Sequence, residues 1–165
     1  MKQAGFTLVE LLVSISIIVV MMGVGLPAFQ TYGRTAELKQ AGTDVQGAML
    51  QAHNLALAPE ADKPSADDYY GVSFNPQNTS YDLIRGVHVS TGACPTTPTI
   101  LEHHVLPLAI SMTPSVAFCV GYLVGRGAEP SIDPALTSIA ITSNRLPGTT
   151  MSIQVNQVTG QVTVQ

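Results

Sequence analysis

From Phe6 to Phe29 the chain is apolar at almost every position, and the only charge in the run is Glu10. At a rise of ~1.5 Å per residue such a run makes a helix of roughly 36 Å, enough to cross a hydrocarbon core of ~30 Å with some tilt. Beyond Gly33 the pattern changes: Leu38, Ala41, Val45, Ala48 or Met49, Ala52 and Leu55 recur every three to four residues, with Glu37, Lys39, Gln40, Asp44, Gln46 and Gln51 between them. That spacing predicts an amphipathic helix with one face against a core. Pro59 is its stop signal, so the two patterns join into one helix from about Thr7 to Ala58. A soluble coiled coil is the alternative for the amphipathic half, but small residues such as Ala41, Ala48 and Ala52 suit packing against a sheet or neighbouring helices as well.

From Pro59 onward Pro, Gly, Ser, Thr and Asn become frequent and the apolar pattern turns short and period-two. It predicts strands at Tyr70 to Phe74, Tyr81 to Ile84, Val87 to Ser90, Ile100 to Val105, Val116 to Val124, Ser138 to Thr142, Met151 to Val155 and Gln161 to Val164. Turns are expected at Asn75-Pro76-Gln77-Asn78 and at Asn156 to Gly160, the second closing a C-terminal hairpin in which Met151, Ile153 and Val155 share one face. The expected fold class is α+β, a long N-terminal helix packed on an antiparallel β domain. The expected divisions are 1-5 as a short head, 6-29 as a transmembrane helix, 30-58 as its amphipathic continuation and 59-165 as one β-rich globular domain.

A carboxylate inside a membrane-length apolar run costs about 2.5 to 3.5 kcal/mol when central and less near an end, so Glu10 needs a function. Its neighbours point to one. The stretch Gly5-Phe6-Thr7-Leu8-Val9-Glu10-Leu11-Leu12 resembles the prepilin leader and transmembrane signature of type IV pilins and type II secretion pseudopilins. The resemblance implies cleavage between Gly5 and Phe6 by a prepilin peptidase, N-methylation of the new terminal Phe6, and a glutamate at the family's position, Glu10, that pairs with Phe6 of a neighbouring subunit during assembly. It also implies, as partners, other pilin or pseudopilin subunits, an inner-membrane assembly platform and membrane lipid. A conventional secretory signal is cut after its apolar core, whereas this cut precedes the run, so the helix stays with the mature chain. Lys2 is correctly signed for a cytoplasmic N-terminus. The expected location is therefore the inner (cytoplasmic) membrane, single-pass, with the C-terminal domain in the periplasm or outside.

Gly23, Gly25 and Pro27 near the far end of the run admit two readings: a kinked or loosened turn, as the pilin resemblance suggests, or the ordinary glycine and proline content of membrane helices. The tail from Leu146-Pro147-Gly148 to Gln165 resembles the GspH/FimT branch of minor pseudopilins, which implies two β-sheets after the helix. Members of that branch linked to DNA uptake carry arginines in the closing strand, and here Gln161 and Thr163 stand instead. The formal net charge is -4, and Arg34, Lys39, Lys63, Arg85, Arg126 and Arg145 are scattered along the chain, which disfavours the basic patch that DNA binding requires.

Cys94 and Cys119 lie in the domain that this topology places in an oxidising compartment. Pairing would stabilise by about 3 to 4 kcal/mol in the chain-entropy model; the alternative is two unconnected thiols, with Cys119 as a small buried hydrophobe. His103 and His104 are adjacent, and on a strand they point to opposite faces, so they do not chelate one ion together. Asp67-Asp68 and the pair Glu129 and Asp133 offer oxygen ligands without an EF-hand spacing and read as solvated loop acids. No metal and no cofactor is expected. There is no G-x-S-x-G elbow, no H-E-x-x-H and no phosphate-binding glycine loop, so no enzyme is expected. The reading is a minor pilin or pseudopilin. Its alternatives are a major pilin, a ligand-binding tip subunit for adhesion or DNA uptake, and a membrane-anchored binding domain whose leader match is accidental.

Overall fold

The computed structural model describes residues 7–58, 68–75, 79–90, 92–114, 116–126, 128–134, 136 and 138–165. Helix α1 spans Leu8–Leu57, one residue inside the predicted span at each end, and it is assigned without interruption through the glycine and proline positions near its middle. The chain divides into two compact units, Met1–Ala36 and Glu37–Gln165. The second half of α1 therefore belongs with the strands.

In the first unit the helix is apolar from Leu8 to Phe29 apart from Glu10 and two serines, and Leu8, Val9, Leu12, Ile15, Ile18, Val19 and Met22 are each at least half exposed. Its mean hydropathy reaches 2.4 over eighteen residues, none of them buried, so it is long and apolar enough to cross a bilayer. The two serines in this stretch donate back to the preceding turn, Ser14 Oγ to Glu10 O at 2.7 Å and Ser16 Oγ to Leu12 O at 2.8 Å. Such bonds satisfy hydroxyls where no water is at hand.

In the second unit α1 supplies Leu38, Ala41, Val45, Ala48, Met49, Ala52 and Ala56 to the core. The strands are β1 (Asp68–Asn75), β2 (Ser80–Val87), β3 (Thr99–Val105), β4 (Ile110–Thr113), β5 (Phe118–Leu123), β6 (Glu129–Ile132), β7 (Ser138–Ser143), β8 (Thr150–Val155) and β9 (Val162–Val164). They form a five-stranded sheet of order β3-β2-β1-β5-β6 and a four-stranded sheet of order β4-β7-β8-β9, antiparallel throughout. The inner faces of both sheets, among them Tyr70, Val72, Phe74, Leu83, Val120 and Tyr122 from the first and Ile110, Ile139, Ile141 and Ile153 from the second, share one core with the helix stripe. Each large side chain so buried contributes about 1.5–3 kcal/mol relative to exposure.

The small residues of the stripe set how closely the helix approaches. At Gly42 a Cβ would collide with Met151 of β8, so the absence of a side chain there lets backbone and strand come together. The predicted C-terminal hairpin is present as β8 and β9. Its turn is built by Asn156, whose Oδ1 accepts from Val158 N at 2.9 Å and Thr159 N at 3.0 Å, and by Gly160 at φ 69°, a left-handed conformation that favours glycine.

Three sequence expectations need correction. Val87 to Ser90 is not a separate strand: Val87 ends β2, and residues 88–90 leave the sheet. Arg85 and Gly86, left between two expected strands, lie inside the one eight-residue strand β2. Strands β4 and β6 were not anticipated, the first because four residues carry too little alternation to stand out, the second because Pro130 argues against a strand unless it lies at a sheet edge, where β6 does lie. The strand expected at Val116 to Val124 begins at Phe118 and ends at Leu123. The middle of the Asn75 to Asn78 turn lies outside the described residues, though Asn75 and Ser80 pair across it.

On the outer face of the larger sheet a second cluster joins Tyr69, Ile84, Cys119 and Leu123, with Cys94 packed against it. Gly71 and Gly121 are cross-strand partners, and the Tyr69 ring lies over both, so that a Cβ at Gly121 would collide with the phenol end of the ring. Gly121→Ala is therefore expected to cost about 1–3 kcal/mol through overpacking. Gly47→Ala, on open helix surface with nothing near its Cβ position, is expected to gain roughly 0.5–1 kcal/mol. Urea unfolding followed by circular dichroism checks the pair, and a Gly121→Ala variant as stable as the parent would show that the ring moves aside freely.

Candidate functional site

The candidate site is the N-terminal end of α1, where the lone acid sits. Gly5 and Phe6 lie outside the described residues. Among the described ones, Thr7 and Glu10 close on each other: Thr7 N–H donates to Glu10 Oε2 at 3.1 Å, Thr7 Oγ1 donates to the same oxygen at 3.0 Å, and Glu10 N–H donates to Thr7 Oγ1 at 3.3 Å. This is a reciprocal capping box, in which a threonine at the helix start and a glutamate three residues on satisfy each other's orphan donors. The Thr-x-x-Glu spacing in the sequence is the signature of this cap, which the sequence expectations did not include. Both side-chain bonds use Oε2, and a carboxylate accepts on both oxygens, so the cap leaves Oε1 for a second donor. A carboxylate in the first turn also faces the positive end of the helix dipole.

The other candidate residues do not converge. His103 and His104 point to opposite faces, as expected: His103 Nδ1 pairs with Asp82 Oδ1 on one side, and His104 stacks on Tyr81 with ring centroids 4.9 Å apart on the other. Glu129 lies 4.0 Å from Arg126, while Asp133 lies beside Gly92. Asp67 and Lys63 fall outside the described residues. Among those described, no three of His, Cys, Asp or Glu are grouped as metal ligands.

Cys94 and Cys119 form a disulfide with Cα atoms 5.1 Å apart. Cys119 is in β5, near the centre of the sheet, and Cys94 is in the connection from β2 to β3, so the bridge holds that connection over the sheet's outer face. Two further contacts hold it there: His88 Nε2 lies 3.1 Å from Ser131 Oγ, and Gly92 N–H donates to that oxygen at 3.4 Å.

One feature was not visible in the sequence. A groove of about 480 Å³ runs between the helix, at Asp44, Gly47 and Gln51, and the end of β3, at His104 and Val105. Tyr81 lines it, and burial together with the nearby Asp44 carboxylate pushes the Tyr81 phenol up to about 12. Gln51 Nε2 donates to Glu102 Oε1 at 3.1 Å and ties the helix to this edge of the sheet. These residues lie far apart along the chain, and only the sheet register collects them.

A long apolar helix capped by its one acid, continued into an antiparallel β unit, defines a pilin-like α+β protein. The family model for the prokaryotic N-terminal methylation motif matches residues 1–26, which supports the type IV pilin and pseudopilin superfamily. Among curated proteins, prepilin peptidase-dependent protein D of Escherichia coli (strain K12) is 54% identical over 37 residues, 22% of this chain and 25% of that protein. The similarity thus spans about a quarter of the length of that relative. No solved structure matches the chain significantly.

The disulfide yields a direct expectation. Alkylation of natively folded protein before reduction should modify neither cysteine, and alkylation after reduction should modify both. Labelling of both in the unreduced native protein would show that the connection is held by packing alone.

Proposed function

We propose that this chain is a minor pilin or pseudopilin, a structural and non-catalytic subunit of a type IV pilus or type II secretion filament. The observation that carries the reading is the methylation-motif match over residues 1–26, laid on a helix whose exposed apolar surface bears one acid. A prepilin peptidase cuts after Gly5, and Phe6 becomes the methylated N-terminus. The apolar helix then holds the subunit in the inner membrane as a single span, in contact with lipid and with an assembly platform, while the β unit lies in the periplasm or outside. Subunits enter the filament by packing these helices together.

Glu10 acts twice in this scheme. One carboxylate oxygen caps its own helix through Thr7, and the other receives the α-amino group of Phe6 from a neighbouring subunit. An unpaired charge in an apolar surrounding is costly, and pairing offsets much of that cost. Only a correctly docked neighbour supplies the pair, so the charge selects register as well as adding attraction. Two sheets and a short closing strand favour the GspH/FimT branch. Thr163 in that strand and Gln161 just before it favour a filament role over DNA uptake.

Intact-mass measurement of protein extracted from cells with an active prepilin peptidase is expected to show loss of Met1 to Gly5 and one added methyl. Retention of those five residues would remove the pilin reading.

The two tasks of Glu10 separate by substitution. Glu10→Gln keeps a capping-box residue and removes the charge, whereas Glu10→Val removes both. Both variants are expected to insert and to be cut normally, and both are expected to be depleted from sheared filaments. Normal incorporation of Glu10→Gln alongside loss of Glu10→Val would leave Glu10 with the capping role only.

A further inference from the structure

The sheet edges are not equally protected. In the larger sheet β6 is four residues long and contains Pro130, which removes a backbone donor. In the smaller sheet β4 is also four residues long. The edge strand β9 is three residues long, and Gln46 Nε2 reaches its Val162 carbonyl at 3.1 Å. Strand β3 is different. It runs seven residues, Thr-Ile-Leu-Glu-His-His-Val, with no proline and no lysine. All of them are exposed except His104, which is partly so. Ile100 is 57% exposed, Val105 67%, and Leu108 just beyond the strand 95%. The register against β2 shifts between Leu83 and Ile84, so Leu101 is an extra residue without a direct partner and 102–105 form the regular part of this edge. An exposed, partly apolar edge of this kind templates another strand.

The strand's own pattern identifies which strand it fits. A two-fold axis perpendicular to a continuous sheet keeps each face on its own side, so directly opposed residues in a self-paired antiparallel edge have the same parity. The axis must therefore pass through a residue. Centring on Glu102 sets carboxylate against carboxylate. Centring on His103 sets Glu102 opposite His104 of the second copy, and His104 opposite its Glu102. Glu102 and His104 lie on the helix-facing side, where Glu102 bonds Gln51 and His104 stacks on Tyr81. They already meet within one chain at 3.2 Å, so each carboxylate has an imidazole on both sides. Val105 follows His104 at the end of the regular stretch and is 67% exposed, so it lies within the paired segment. The two His103 rings meet at the axis on the other face, each beside its own Asp82. Directly opposed side chains of this kind are the stabilising unit of a sheet, and like charges there are destabilising.

We propose that β3 is a self-complementary interface through which two copies of this chain join edge to edge, centred on His103, into one continuous antiparallel sheet. The interface is isologous, the commonest kind in homo-oligomers, and it is separate from the helix contacts invoked for filament assembly. Its outcome does not depend on Glu10 or on cleavage after Gly5.

The test uses the full chain in its native membrane, with the native disulfide left intact. His103→Cys places a thiol on the axis, and opposed Cβ atoms of about 4.5–5.5 Å lie close to disulfide reach. Mild oxidation and non-reducing electrophoresis are expected to show a cross-linked species of twice the chain mass, several-fold above that of Val158→Cys, whose position is 86% exposed elsewhere on the same unit. Adding Val105→Lys to the His103→Cys variant is expected to return cross-linking to the Val158→Cys level. Adding Glu102→Lys should lower cross-linking, and adding Glu102→Lys together with His104→Glu should restore it, because the exchange preserves the opposed charges. Cross-linking no greater than that of Val158→Cys, insensitivity to Val105→Lys, or a product whose mass is not twice that of the chain would overturn the proposal.

Discussion

Everything in the β unit depends on one contact: the small-residue stripe of α1 lying against the inner faces of two sheets at once. Ala41, Ala48 and Ala52 are buried together with Val45 and Met49, and short side chains at these positions keep the helix axis close to the strands. Gly42 carries this furthest, since Met151 occupies the space a side chain would need. Neither sheet closes a core alone. The helix supplies the surface that both share, which is why a single cluster runs from Leu38 to Val162.

The same helix meets two solvents, and its composition changes accordingly. Up to Phe29 it is apolar apart from Glu10 and two serines, as a lipid-facing helix is, and those serine hydroxyls turn back onto their own backbone. From Leu38 onward the apolar residues narrow to one stripe, because the opposite side faces water. At the extreme N-terminal end the problem is reversed, as orphan amides need acceptors where water is scarce. Thr7 and Glu10 solve it locally, so the acid has a structural role within its own helix.

On the outer face of the larger sheet, bulk is supplied from a distance. Gly71 and Gly121 leave a bare strip across β1 and β5, and Tyr69 lies over it. The connection from β2 to β3 then covers Tyr69, Ile84 and Cys119, held by Cys94 and by Ser131. The long free edge at β3 stands next to this covered surface.

The sequence alone determined what depends on neighbours along the chain. The helix and its limits followed from a sustained period and a proline stop. The lone acid followed from contrast with its surroundings, the terminal hairpin from alternation around Asn156 and Gly160, and the separate directions of His103 and His104 from strand geometry. The Thr7 to Glu10 cap was equally local and equally legible. Tertiary structure decided what depends on register between distant segments. It placed Pro130 on an edge, where its missing donor does no harm, and so made a strand of a stretch that reads otherwise. It brought Gly71 opposite Gly121 and set Tyr69 over both. It left β3 with an open side and gathered Asp44, Tyr81 and His104 around one groove. Cross-strand pairing joins residues dozens of positions apart, and a strand's own residues do not state which neighbour it will have, because any alternating segment pairs with any other until the shared core selects the order.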